Sequence, residues 1–238
     1  MTKQFVPFRT LCSPGQNASD QETDWLRCTC ARFHPDPDAF ERLTHLRDAL
    51  ALKCRLTQDK PREFALDRRR ARRLVKRSVR LNRELAGIVR SRHGHFELEI
   101  SDPLEFGFLD KSRMPVDSRA CGNYHTHPGR DARSLAPPSA TDMAVYVQQH
   151  MCDNVSQSFV FADENGSVRI YACSLFHVLR NPADGPEVGA LTREYFEIIE
   201  QLFESDHVTH SAFKKMYVMA CKYLGGIFAM YESKLTRR

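Results

Sequence analysis

Two histidines stand one residue apart in "GNYHTHP", and a serine and an aspartate stand three apart in the "SATD" that follows. On a strand, residues two apart face the same side, so His125 and His127 would present both imidazoles together. Two neutral imidazoles are half of a metal site. Zinc used for catalysis takes three protein ligands of N, O or S type and keeps one position open for water. Asp142 is the candidate third ligand.

Ser139 and Asp142 also have a plainer explanation. Pro137 and Pro138 interrupt the chain just before them, which sets Ser139 at a helix N-cap and Asp142 one turn in, close to a capping box. The two readings are compatible. A cap that fixes Asp142 at a helix N-terminus also holds it where the helix can fold back over the strand bearing the histidines.

Breaking an amide with activated water needs, in addition, a carboxylate that takes the water's proton and passes it to the leaving amine. Upstream candidates are Glu84, Glu97, Glu99 and Glu105. Phe96, Leu98 and Ile100 alternate with Glu97, Glu99 and Ser101, which puts Glu97 and Glu99 on a solvated strand face. Glu84 instead opens the apolar "ELAGIV", where burial would raise its pKa towards a useful range.

The elements that must position these groups follow from pattern. Residues 1 to about 24 are polar and interrupted by Pro14, Gly15 and Asn17, and read as loose. In "DPDAFERLTHLRDALALKC", Asp36 is placed as N-cap and Pro37 as the first helical residue, with Phe40, Leu43, Leu46 and Leu50 on one stripe. The basic run 60–80 reads as a helix with a narrow apolar side of Leu66, Leu74 and Val75. Residues 84–101 read as a hairpin, "RACGNYHTH" as a strand, "SATDMAVYVQQHM" as a helix and "SFVFADENGSVRIYAC" as a second hairpin. Two amphipathic helices fill the tail. One carries Tyr195, Ile198, Ile199 and Leu202; the other carries Phe213, Met216, Tyr217, Ala220 and Leu224, with Gly225 and Gly226 weakening it.

The result is a mixed α/β class with a largely antiparallel sheet flanked by helices. It divides into an N-terminal polar segment and helical extension (1–60), a core (61–180) and C-terminal helices packed on the core (181–238).

"ELAGIV", "HTHP" and "SATD", in that order, resemble the JAMM (JAB/MPN) metalloproteases. That family's pattern is a Glu in an E-x-x-G-[IV] strand, then H-[ST]-H-P, then S-x-x-D. The resemblance spans roughly residues 65 to 175 and implies a cytidine-deaminase-like JAB/MPN domain. It implies that His125, His127 and Asp142 bind Zn2+, that Glu84 is the general acid/base, and that Ser139 donates a hydrogen bond to the oxyanion of the tetrahedral intermediate. Thr126 and Pro128 would shape the strand end. The substrate implied is ubiquitin or a ubiquitin-like protein, cut after its C-terminus as a peptide or isopeptide. One departure stands out: eleven residues, "PGRDARSLAPP", separate His127 from Ser139, a longer spacer than the family's usual one. The alternatives are an MPN-type binding module without protease activity and another His-x-His metallohydrolase. The latter draws more ligands from a longer barrel, which this pattern does not supply.

The remaining features weigh less. "CTCARFH" offers Cys28, Cys30 and His34, with His45 or Cys54 near, but matches no usual zinc knuckle. His207 and His210 read as surface or capping residues at a helix start, and Cys121 as packing. The basic run holds ten Lys or Arg against two acids, while the net charge of the whole chain is +5. Only Phe64 interrupts it, so it lacks the stacking aromatics of a single-strand nucleic-acid site, and an acidic protein partner is the expected alternative to a solvated face.

At 238 residues, 42% hydrophobic and 27% charged, the chain has the composition of a globular protein with a real core. No apolar run is long enough for a bilayer span, and the first residues lack the charged start and apolar stretch of a secretory signal. The eight cysteines form no disulfide framework and are read mostly as small buried hydrophobes in a cytosolic protein.

Overall fold

The computed structural model describes residues 8–13, 15–56, 66–92, 97–100, 120–128, 138–153, 157–164, 167–175, 177–202, 210–225 and 227–235. In chain order the elements are β1 (Arg9–Cys12), α1 (Asp20–Phe33), α2 (Ala39–Lys53), β2 (Cys54–Leu56), α3 (Arg68–Leu81), β3 (Ala86–Arg92), β4 (Glu97–Ile100) and β5 (Ala120–His127). They continue as α4 (Ala140–Asp153), β6 (Gln157–Glu164), β7 (Ser167–Leu175), β8 (His177–Leu179), α5 (Gly185–Gln201), α6 (His210–Tyr223) and β9 (Phe228–Leu235). Seven strands form one sheet in the order β1-β9-β7-β6-β5-β3-β4, while β2 and β8 pair separately. Every pairing in the large sheet is antiparallel except β5 with β6. The mixed α/β class with a mostly antiparallel, helix-flanked sheet is therefore present.

Alternation along the strands sorts side chains into two cores. Tyr124, Phe159, Phe161, Ile170, Ala172 and Tyr231 point to one face, where α3 lays Ala71, Leu74 and Val75 over them. Cys173, Phe228 and Met230 point to the other, which is covered by α1, α2, α4, α5 and α6. Consecutive residues 158–162 are all buried, as expected of a central strand with both faces covered.

α3 is an unusual helix. It holds eight Lys or Arg and no acid in fourteen residues, and each like-charge pair one turn apart costs about 0.2–0.5 kcal/mol. Burial offsets this. Fully burying a side chain such as Leu74 or Val75 contributes about 1.5–3 kcal/mol. The Asp67 carboxylate caps the start by accepting from the amides of Arg69 and Arg70. Asn82, at φ +50°, takes the left-handed conformation that ends the helix and turns the chain into β3.

Several expectations need correction. The segment expected to be loose supplies the edge strand β1 and, from Asp20, helix α1, whose start is a full capping box of Ser19 and Glu22. α2 begins at Ala39 rather than Pro37. The Asp36 carboxylate accepts from the Asp38 amide and from Arg42, a local turn that occupies the group assigned to the cap. The tail contains, besides two helices, strand β9, which inserts between β1 and β7. Gly225 lies beyond α6 at φ +72°, so it terminates the helix instead of weakening its interior. Residues 60–65, Phe96, Glu105, His207, Gly226 and most of the spacer after His127 lie outside the described residues.

Candidate metal centre

β5 sets out the two histidines. Its even-numbered residue Tyr124 faces α3, so the odd-numbered His125 and His127 face the opposite layer, and both are buried. Thr126 between them points back towards α3. Its hydroxyl donates to Ser78 Oγ at 2.8 Å and accepts from the Leu85 amide at 2.8 Å, while its own amide donates to Leu85 O at 2.9 Å. Ser78 in turn donates to Arg83 O at 2.7 Å. This chain of bonds ties the end of α3, the start of β3 and the histidine strand together, so Glu84 is placed by its neighbours on both sides.

α4 brings the aspartate. Ser139 and Asp142 form the reciprocal cap: the Asp142 amide donates to Ser139 Oγ at 3.1 Å, and Asp142 Oδ2 accepts from the Ser139 amide and hydroxyl, each at 2.7 Å. Two groups unforeseen in the sequence hold the same turn. Glu200 of α5 accepts from the Ala140 amide at 2.6 Å, and Tyr217 of α6 donates to Pro138 O at 2.6 Å. Nothing local announces either contact, since their partners are 60 and 79 residues away along the chain.

The three candidate ligands converge. His125 Nε2 and His127 Nε2 are 3.1 Å apart, and Asp142 Oδ2 lies 3.3 Å from the first and 3.7 Å from the second. A tetrahedral ion with bonds of about 2.0–2.1 Å keeps its ligand atoms about 3.3 Å apart, so this triangle has the size such an ion requires. The donor set of two imidazoles and one carboxylate suits zinc and other divalent first-row metals. Among the described residues no other group of three His, Cys, Asp or Glu side chains is this tightly gathered. Cys28 and Cys30 of α1 take no part: the first is exposed and the second buried.

Electrostatics follow from this crowding. Burial works to strip His125 of its proton, but the Asp142 charge and hydrogen bond, with a smaller contribution from Glu84, outweigh it and raise the His125 pKa. For Asp142 burial works upward, yet the His125 charge and the hydrogen bonds from both histidines hold the carboxyl well below its ordinary range. A buried anion beside two imidazoles is thus poised to accept a cation. Among the described residues His127 Nδ1 is buried without a hydrogen-bond partner.

Glu84 is placed differently from the expectation. β3 begins at Ala86, and Glu84 precedes it with its side chain 50% exposed, so the burial assigned to it is absent. Ala86 pairs with His125, which puts Glu84, two residues earlier, on the histidine face of the sheet. Its Oε1 stands 4.0 Å from His127 Nε2, beside the triangle and outside it.

No family model matches the chain, and no curated protein matches it by sequence.

Proposed function

We propose that this chain is a zinc-dependent peptidase or isopeptidase of the JAMM type, on a cytidine-deaminase-like JAB/MPN fold, cutting after the C-terminus of ubiquitin or a ubiquitin-like protein. The placement of Glu84 carries the reading. A carboxylate used only to bind the metal would join the triangle, whereas Glu84 sits one contact beyond His127, where a general base for metal-activated water belongs.

His125, His127 and Asp142 would hold zinc, which would supply a Lewis acid able to make water nucleophilic near neutral pH. Glu84 would take the proton from water at this site and deliver it to the leaving amine. Its exposure leaves the carboxylate reachable by an incoming backbone. Ser139 holds Asp142 through two donors, its amide and its hydroxyl. The amide keeps the ligand in place while the hydroxyl turns to an oxyanion, the kind of contact that contributes about 2.7–4 kcal/mol in acyl transfer.

Among the described residues no helix is long and apolar enough to cross a membrane. Cys12, Cys28, Cys30, Cys54, Cys173 and Cys221 are free thiols.

The test is a pair of measurements on purified protein. Wild type is expected to take up one zinc and to cleave at least one of a panel of ubiquitin-like fusions in a chelator-sensitive manner. Glu84→Gln is expected to keep the zinc and lose turnover. Full activity in Glu84→Gln would show that another group is the base, and absence of stoichiometric zinc would remove the enzyme reading.

A further inference from the structure

We infer that the outward face of α3 is the docking surface for an acidic patch on the protein substrate, an inference that rests on the peptidase reading above. Arg69, Arg73, Lys76, Arg77 and Arg80 recur at helical spacing on the exposed side of α3, opposite Ala71, Leu74 and Val75. The stripe covers about 17 Å at 1.5 Å per residue. Exposed Arg83 extends it to the residue next to Glu84. Among the described residues none of these six side chains makes an ion pair or hydrogen bond.

Several cations elsewhere in the fold are paired. Arg42 is paired with Asp36 and Glu194, Lys53 with Glu187, and Lys222 with Glu22. The net charge of +5 less the eight cations of α3 leaves −3 for the remaining residues, so α3 is the basic element of an otherwise net acidic chain. Packing does not call for the charge, because the apolar side alone seats α3 on the sheet. Mutual repulsion along the stripe is relieved when an anionic surface covers it.

The position of the stripe selects a protein over a nucleic acid. Its C-terminal end is bonded into the histidine strand through Ser78 and Thr126 and leads directly to Glu84. α3 lies on the sheet face opposite the histidines, so a partner on it meets the metal centre only past the helix's C-terminal end, at Glu84, and a peptidase needs that partner to present an amide. The stripe contains cations alone, with no aromatic side chain on which a base could stack.

Fluorescence anisotropy on the full chain tests this, using a labelled glutamate-rich peptide and labelled single- and double-stranded DNA at about 150 mM salt. The variant combines Arg69→Gln, Arg73→Gln, Lys76→Gln, Arg77→Gln and Arg80→Gln, exposed sites where loss of like charge does not disturb packing. A salt titration of the wild type reads the same contacts without mutation. The wild type is expected to bind the peptide in a salt-sensitive way, and the variant to bind it roughly tenfold more weakly or worse, with zinc uptake unchanged. Stripe-dependent binding of DNA roughly tenfold tighter than that of the peptide overturns the inference in favour of a nucleic acid. Peptide binding that ignores both the variant and the salt overturns it outright. A wild type that takes up no zinc but shows stripe-dependent peptide binding assigns the failure to the peptidase reading.

Discussion

Replacing Tyr217 with Phe removes one oxygen atom and asks whether the C-terminal helices hold the third ligand in place. Tyr217 is fully buried, and burial pushes its hydroxyl pKa well above the ordinary range, so it remains a donor at any working pH. That donor is spent on Pro138 O, the carbonyl immediately before the Ser139 cap. Without it a buried carbonyl loses its partner, a loss that costs about 1–3 kcal/mol. If the first turn of α4 stays put, the whole cost falls on global stability and lowers the melting temperature by about 2–4 °C per kcal/mol in a chain of this size. If the turn shifts to find another donor, Asp142 moves with it, and outer contacts of this kind typically change metal affinity about 10- to 100-fold. The structure favours the second outcome, because on its own helix Asp142 Oδ2 is held through Ser139, the residue bonded to Pro138, and its other contacts are the two candidate metal ligands. The assay is competition for zinc against a chromophoric chelator, alongside thermal melts of the metal-free protein. Tyr217→Phe is expected to weaken zinc about tenfold or more, and Glu200→Gln, which keeps an acceptor for the Ala140 amide, much less. A lowered metal-free melting temperature with unchanged zinc affinity would refute the reasoning and leave Tyr217 as packing alone.

Asp142→Asn keeps the shape of the cap but removes the anion, and is expected to abolish zinc uptake at micromolar metal while the far-UV circular dichroism is preserved. In the metal-free protein the raised His125 contributes stability that is present below its ordinary 6.5 and lost as pH rises through its folded value. The lowered Asp142 contributes stability that is present above its ordinary 3.8 and lost as pH falls towards its folded value. Melts of chelated protein should therefore show the pair's contribution at its fullest between 3.8 and 6.5. Zinc must displace the His125 proton, so zinc-loaded protein should instead gain stability as pH rises to 6.5 and level off above it. Among the described cysteines, Cys28 is exposed, whereas burial raises Cys12 and Cys54 to about 11 and Cys30 and Cys173 to about 12. A thiol reagent should label Cys28 well before these four in the native protein, and equal rates would contradict the buried environment.

What the sequence reveals about the site is what short-range geometry governs. Strand alternation is a property of adjacent residues, so the common face of His125 and His127 is legible from "HTH" alone, and the Ser139 and Asp142 cap is legible from four residues. The exposure of Glu84 is not legible in the sequence because an apolar run does not mark where its ladder starts. The first paired residue is Ala86, and the anchoring bond to Leu85 comes from Thr126, forty-one residues on. β9 was missed for a related reason. "IFAMYESKL" follows two glycines at the end of an amphipathic helix, and only its neighbours β1 and β7 give it a partner on each side. Glu200 and Tyr217 lay furthest out of reach: each looks like one more residue of an amphipathic helix, and each acts on the turn before α4 across a tertiary contact. Placed together, these contacts change how the segments depend on one another. The candidate motif lies within residues 84–142, but the aspartate's turn is held by α5 and α6, and the sheet is completed by β9 and β1. A fragment limited to the pattern would keep the ligands and lose much of what aims them. The segments on either side of the motif are part of the candidate metal centre in the physical sense that matters, the positioning of Asp142.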